Sequence, residues 1–278
     1  MPELPEVETI VRGLRAGILG ETIASVRVTL AKIAQAPPEF DFVETIRGQT
    51  IVGVSRRAKY AVLELASGQR LVTSLRMTGR LVVGSPGDPP YRGTHILITF
   101  NSAKTLSFAD VRTFGRMRLV ALGDPWDADL GPEPLGEAFT LEAFVSMLSG
   151  RTTSIKVLLL DQRRIAGIGN IYACEALWEA KIRPSTSAKD LSRVAITRLH
   201  GALINVLSRA VEMRGSSIDD YVDANGLRGG FQNVLAVYGR LGQPCVRCAT
   251  PIQRSVIGQR GTWWCRKCQP RSRKKIRK

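Results

Sequence analysis

Two Cys-x2-Cys pairs, Cys245/Cys248 and Cys265/Cys268, stand sixteen residues apart near the end of a 278-residue chain. Each pair bends the backbone so that two thiolates converge. Two such pairs at this spacing predict a tetrahedral four-cysteine site that holds one structural Zn2+, with no coordination position left open for catalysis. The two histidines, His95 and His200, lie far away in sequence and are not needed. The remaining cysteine, Cys174, sits in an apolar helical stretch and reads as a core residue. A reducing compartment fits this usage better than a disulfide framework.

The metal module sits in the most basic part of the chain. The formal net charge is +16, and from Gly239 to Lys278 there are twelve Lys or Arg and no Asp or Glu. Such a surface calls for a polyanionic partner. Between the two cysteine pairs run Arg254, Arg260, Trp263 and Trp264, which read as a zinc-pinned loop presenting Arg to phosphate while at least one Trp packs the module. The last eight residues, 271–278, contain six basic ones and read as a disordered tail with non-specific attraction to nucleic acid. No apolar run approaches the roughly 20 residues of a membrane span, and no basic amphipathic helix with a long apolar face is evident, so a membrane partner is not expected. Glu3, Glu6 and Glu8 occupy the place of a signal peptide's basic region. A cytoplasmic, nucleoid-associated monomer is the expectation.

Hydrophobic periodicity divides the rest. Val7, Ile10, Val11, Leu14 and Ile18 recur at helical spacing over residues 3–18, with Pro2 ahead of the helix and acidic residues in its first turns. From about 21 to 120 the pattern becomes strands, among them Ile23–Leu30, Ile51–Ser55, Tyr60–Leu65, Arg70–Ser74, His95–Phe100 and Met117–Ala121, separated by Gly and Pro. Residues 122–138, rich in Pro, Gly and Asp, read as a linker. Helices follow at Leu141–Leu148, Ile155–Arg164, Ile171–Ala180 and from Leu191 to Ala210, the middle pair flanking a turn at Ala166–Asn170. The predicted fold is α+β in two domains. Residues 1–121 form a helix plus β-sandwich, 139–231 a helical domain ending in a glycine-containing loop, 236–270 a zinc finger and 271–278 the tail.

These segments carry a resemblance. The opening Met1-Pro2-Glu3-Leu4-Pro5-Glu6-Val7-Glu8-Thr9, then Arg57-Ala58-Lys59-Tyr60, Met77-Thr78-Gly79, Phe114-Gly115, Ile155-Lys156, Gly167–Ala173 and the zinc loop follow, in order, the motifs of formamidopyrimidine-DNA glycosylases, so the whole chain resembles that family. The resemblance implies a helix–two-turn–helix in the helical domain. It also implies a bifunctional DNA glycosylase and AP lyase of base excision repair, acting on double-stranded DNA that contains oxidised purines or abasic sites. The nucleophile is then the secondary amine of Pro2, exposed once Met1 is removed. An α-amino group titrates near 7.7–8, so a useful fraction is neutral and can attack C1′ to give an iminium, followed by β,δ-elimination. By the same resemblance Glu3 protonates the sugar ring oxygen, Glu6 orients water or the opened sugar, and Lys59 serves elimination and phosphate contact. Arg260 grips phosphate beside the lesion and assists δ-elimination. Met77, Arg112 and Phe114 fill the gap left by the everted base. His95, Arg151, Lys156 and Asn170 are further DNA contacts, and the loop at about 216–231 covers the flipped base.

Four positions depart from the family pattern: Ser74, Gly93, Thr113 and Asp219. They bear on phosphate affinity and base recognition and leave Pro2, Glu3 and Lys59 untouched. Two other readings remain at this level. An endonuclease-VIII-like glycosylase for oxidised pyrimidines keeps the same nucleophile, although Leu4 favours the purine branch over that branch's Pro-Glu-Gly-Pro start. A non-catalytic zinc-ribbon nucleic-acid-binding protein leaves Pro2, Glu3 and Lys59 without a role.

Overall fold

The computed structural model describes residues 2–218 and 221–271. Helix α1 (Leu4–Ile18) buries Leu4, Val7, Ile10, Val11, Leu14 and Ile18. Those positions repeat every three to four residues, so one face of the helix is apolar and must be covered. The covering surface comes from two sheets. Strands β1 (Ile23–Val28), β6 (Gly79–Gly84), β7 (Thr94–Phe100) and β8 (Thr105–Asp110) form one, in the order β1-β7-β8-β6. Strands β2 (Ala34–Gln35), β3 (Ile51–Arg57), β4 (Tyr60–Leu65), β5 (Arg70–Ser74) and β9 (Arg116–Val120) form the other, in the order β2-β9-β5-β4-β3. Inward residues from both sheets, such as Ile96, Ile98 and Phe108 from the first and Ile51, Leu63, Leu71 and Met117 from the second, share a single core with α1. This is the expected sandwich. The short helix α2 (Phe42–Ile46) adds Phe42 and Ile46 to that core.

The chain forms two compact units, Met1–Ala128 with Val211–Gln232, and Asp129–Ala210 with Asn233–Lys278. The segment 211–231, grouped by sequence with the helical domain, therefore clusters with the sandwich. Its contacts explain why: Glu6 Oε1 accepts the Ser216 amide at 2.7 Å, the Tyr221 hydroxyl donates to the Glu6 carbonyl at 3.3 Å, and Ala224 accepts the Val83 amide at 2.9 Å. Asp219 lies outside the described residues, as does the tail from 272 onward.

The second unit carries α3 (Leu141–Leu148), α4 (Ile155–Leu160), α5 (Asn170–Glu179) and most of α6 (Arg193–Glu212). Thr140 caps α3 by accepting the Ala143 amide at 3.1 Å. Helix α4 stops four residues short of the predicted Arg164 because Asp161 takes an extended conformation and starts a turn: its carboxylate accepts the Arg163 amide and its carbonyl the Arg164 amide. Gln162 closes the loop to α5, accepting the Gly167 amide at 2.9 Å and donating to the Ile168 carbonyl at 2.8 Å. These two helices and their ordered loop make the helix–two-turn–helix. Strands β10 (Gln253–Ile257) and β11 (Arg260–Trp264) form the zinc hairpin, closed by Gly258 and Gln259, both at positive φ as a tight two-residue turn requires. Buried Glu175 of α5 anchors the approach to it, its carboxylate accepting the amides of Ala236, Val237 and Tyr238 at 2.8, 3.0 and 2.8 Å. Burial holds this carboxyl above the ordinary range, and the three amides offset that only in part.

Candidate active site and DNA-binding loops

Pro2, Glu3 and Glu6 stand together at the first turn of α1. Pro2 and Glu3 are buried, and Glu3 is the N-cap residue, in an extended conformation. Both oxygens of Glu6 are engaged: Oε2 accepts the Glu3 amide at 2.8 Å and Oε1 the Ser216 amide at 2.7 Å. Glu6 thus welds the helix start to the loop that follows α6. Gly215 makes this approach possible. Its φ is +75°, and a Cβ there would lie 2.7 Å from Glu6 Oε1. Tyr221 reinforces the joint by donating to the carbonyls of Glu6 and Arg214, and its burial raises the phenol's pKa further from neutrality.

Lys59 occupies the Ala58-Lys59 turn between β3 and β4, immediately before β4 begins at Tyr60. The register of α1 on β3 fixes where that turn goes. Arg15 donates to the Val54 carbonyl at 2.7 Å, and Glu8 accepts from Arg56 at 2.9 Å. Two residues along β3 advance about 7 Å and seven residues back along α1 about 10 Å, so helix and strand run antiparallel. Continuing past Arg56 brings the Lys59 turn toward the end of α1 where Pro2 and Glu3 stand.

The expected wedge residues lie on two loops of the same unit. Met77, half-buried, is in the β5–β6 loop; Arg112 and Phe114 are exposed in the β8–β9 loop, and Phe114 keeps 51% of its surface open. The Arg112 guanidinium lies 4.9 Å from the centre of the Phe114 ring. Buried Asp110 joins the loops, a residue that periodicity did not single out. Its Oδ1 accepts from the Thr78 hydroxyl at 2.5 Å and the Arg112 amide at 3.2 Å, while Oδ2 accepts the Gly115 amide at 2.6 Å. His95, half-buried, lies 3.2 Å from the Asp110 carbonyl through Nε2, so the ring packs against the strand end.

In the second unit, Arg260 is exposed at the head of β11 and Arg151 is exposed after α3. Lys156 is placed differently from a surface phosphate contact. It is fully buried, and its amine donates to the Gly261 carbonyl at 3.2 Å and the Thr262 hydroxyl at 2.5 Å. Asn170 Nδ2 donates to the same carbonyl at 3.0 Å. Lys156 and Asn170 therefore fix the residue next to Arg260. The side-chain oxygen of Asn170 is buried and has no protein partner.

The cysteine cluster fits a metal ion. All four Sγ atoms lie within 4.8 Å of one another, with 3.4 Å between Cys248 and Cys268, 3.5 Å between Cys248 and Cys265 and 3.9 Å between Cys245 and Cys268. Four sulfurs at about 2.3 Å from zinc stand about 3.8 Å apart. Disulfides would need about 2.05 Å. The four cysteines hold one structural zinc. Trp178 donates its indole N–H to Cys245 Sγ at 3.4 Å, the kind of outer hydrogen bond that orients a ligand. Both hairpin tryptophans pack: Trp263 against Tyr238 at 4.4 Å and Trp264 beneath Arg183 at 4.1 Å. Cys174 is fully buried against this cluster, as a core residue. No helix among the described residues is long and apolar enough to cross a membrane.

A sandwich with a proline-led acidic helix, a helix–two-turn–helix and a four-cysteine hairpin defines a class of DNA-processing architecture, and comparison with known proteins gives the family. Residues 1–117 match the formamidopyrimidine-DNA glycosylase N-terminal domain, 130–222 its H2TH domain and 242–271 the zinc finger found in FPG and IleRS. The chain belongs to the formamidopyrimidine-DNA glycosylase family. The formamidopyrimidine-DNA glycosylase of Pelotomaculum thermopropionicum is 44% identical over 277 residues, covering 97% of this chain and 99% of its own length. The MutM (Fpg) protein of Thermus thermophilus superimposes with a TM-score of 0.86 at 41% identity, over 96% of this chain and 98% of that one. A Lactococcus lactis Fpg mutant in complex with Fapy-dG containing DNA gives 0.91 at 38% identity, over 97% and 100%.

Proposed function

We propose that this chain is the DNA glycosylase and AP lyase of base excision repair that removes oxidised purines through the amine of Pro2. The observation that carries the reading is the construction of the α1 N-terminus, where Pro2 leads a buried pair of carboxylates and the packing of α1 along β3 runs the Lys59 turn toward that end of the helix. The neutral amine attacks C1′ as the glycosidic bond breaks, and the base leaves with the bonding pair and takes up a proton. Glu3 protonates O4′ so that the sugar opens to the iminium. Loss of the C2′ proton, with Lys59 as acceptor, expels the 3′ phosphate; a second elimination releases the 5′ phosphate. Met77, Arg112 and Phe114 occupy the space of the everted nucleotide, and Arg260 holds a neighbouring phosphate. The basic zinc module, with its long-range attraction to DNA, supports a cytoplasmic, nucleoid-associated location.

Incubation with an 8-oxoguanine duplex and borohydride tests this. A covalent protein–DNA adduct is expected, with the label on the peptide that begins at Pro2. Retention of Met1 in fully active protein would overturn the nucleophile. One of the similar Lactococcus lactis structures holds oxidised-pyrimidine DNA, so a duplex with an oxidised pyrimidine belongs in the same experiment. Preferential trapping there would move the lesion class to pyrimidines and leave the nucleophile in place.

A further inference from the structure

Asp110 is the last residue of β8 and pairs in register with Gly79, the first residue of β6. The loop that bears Met77 enters this pair from one side, and the loop that bears Arg112 and Phe114 leaves it on the other. Each loop contributes hydrogen-bond donors to the one carboxylate. The Thr78 hydroxyl comes from the first loop, and the amides of Arg112 and Gly115 come from the two ends of the second. The carboxylate is 1% exposed, so these donors stand in place of water, and an oxygen left without them would be costly. Gly115 fits the same plan: a Cβ there would lie 2.8 Å from the Phe108 ring and 3.0 Å from Asp110 Oδ2, so a side chain would push its amide away. Thr113, between Arg112 and Phe114, holds a left-handed conformation at φ 53°, and its amide bonds the Asp110 carbonyl at 3.1 Å. The turn that presents Arg112 and Phe114 is therefore wound around Asp110.

We propose that Asp110 is the positioning residue that sets the spacing and direction of Met77 relative to Arg112 and Phe114, so that the three enter the duplex as one rigid wedge. This rests on the reading that those three residues fill the gap left by the everted base. Asp110 itself is buried and acts through the two loops it holds. Its contribution is to hold two otherwise independent loops at a fixed separation, which lowers the ordering cost of insertion. The Thr78 hydroxyl is the side-chain group that crosses between the loops: it donates to Asp110 Oδ1 at 2.5 Å and accepts the Arg112 amide at 3.2 Å, so Thr78→Val removes both bonds while leaving the Gly115 amide on Asp110.

The test uses the full-length zinc-bound protein with two substrates: an 8-oxoguanine duplex that is fully paired, and the same lesion inside a three-pair mismatched bubble, where little stacking opposes eversion. Single-turnover excision is followed on both. Insertion is followed by the fluorescence of 2-aminopurine placed beside the lesion. Thr78→Val and Asp110→Asn are expected to slow excision and the fluorescence rise on the paired duplex by about tenfold, the net equivalent of one or two hydrogen bonds, and to leave the bubble substrate unaffected. Thr78→Ser should restore the paired rate. Equal losses on both substrates, or no loss on the paired one, would overturn the proposal. If Asp110→Asn does not fold, Thr78→Val decides alone. Met77→Ala and Phe114→Ala separate the two levels. If they too show no loss specific to the paired duplex, the wedge reading itself fails. If they do and Thr78→Val does not, only the role of Asp110 fails.

Discussion

Glu6 Oε1 and the Ser216 amide meet at 2.7 Å across 210 residues of sequence, while the other oxygen of the same carboxylate holds the Glu3 amide at 2.8 Å. One side chain thus fixes both the start of α1 and the base of the loop after α6. A glutamine can accept only one of these two amides and turns an N–H toward the other. Glu6→Gln is expected to cost about 1–3 kcal/mol of stability, the penalty for a buried donor left unpaired. Urea denaturation measures the loss, and faster hydrogen exchange at the Ser216 amide should accompany it. Unchanged exchange there would mean that the loop base is held by other bonds.

Glu3 and Pro2 make separable demands. Base excision needs an acid at O4′ because the sugar is closed, whereas an abasic sugar opens spontaneously. Glu3→Gln should therefore lower excision of 8-oxoguanine by about 10²-fold or more, the usual reach of a positioned acid. Strand cleavage at a preformed abasic site should suffer much less. Parallel losses on the two substrates would place Glu3 in the elimination steps as well.

Arg260 sits at the head of β11, beside a residue pinned by Lys156 and Asn170. If it contacts one phosphate, Arg260→Ala should reduce the slope of log affinity against log salt by about one. Lys156→Met should disturb the same contact indirectly, by removing the buried amine that orients Gly261 and Thr262. Chelation of the zinc should abolish DNA binding altogether; unchanged affinity after metal removal would exclude the hairpin as a clamp.

Glu8 carries a pH dependence with a definite sign. Burial raises its carboxyl, but the hydrogen bonds and charges of Arg56 and Arg12 together outweigh that and hold it below the ordinary value. A depressed folded pKa contributes stability that is present above the unfolded value and is lost as pH falls through the folded one. Glu8→Gln should therefore be destabilising at pH 7, with the difference from the parent shrinking below about pH 4.5 and vanishing once Glu8 is protonated in both states. Thermal melts from pH 3 to pH 7 measure it, and a difference that stays constant over that range would show that the charge is not what matters.

Much of this molecule was legible in local pattern. The helix at residues 3–18, the strands Tyr60–Leu65 and Arg70–Ser74 and the helix Leu141–Leu148 stand at or within a residue of their predicted bounds. In each, burial follows the apolar period. Strands β6 and β8 were harder to read. The first begins and ends in glycine, which reads as turn, and the second is buried at nearly every position, so it shows no alternation. The zinc site was legible because its ligands come in two short local units whose spacing fixes their chemistry.

What the sequence determined, then, is the candidate set of reactive groups, Pro2 and the acidic first turn of α1, and the ligating set, four cysteines at metal spacing. Tertiary structure decided what each is fastened to. Glu6 reaches Ser216, Asp110 ties Thr78 to Gly115, and Lys156 is turned inward onto the zinc hairpin instead of outward to phosphate. The reason is physical. Periodicity reports which face of an element is apolar, but the partner of a buried charge is set by which backbone donors and acceptors the fold leaves unpaired nearby, and those arrive from strands and loops tens to hundreds of residues away.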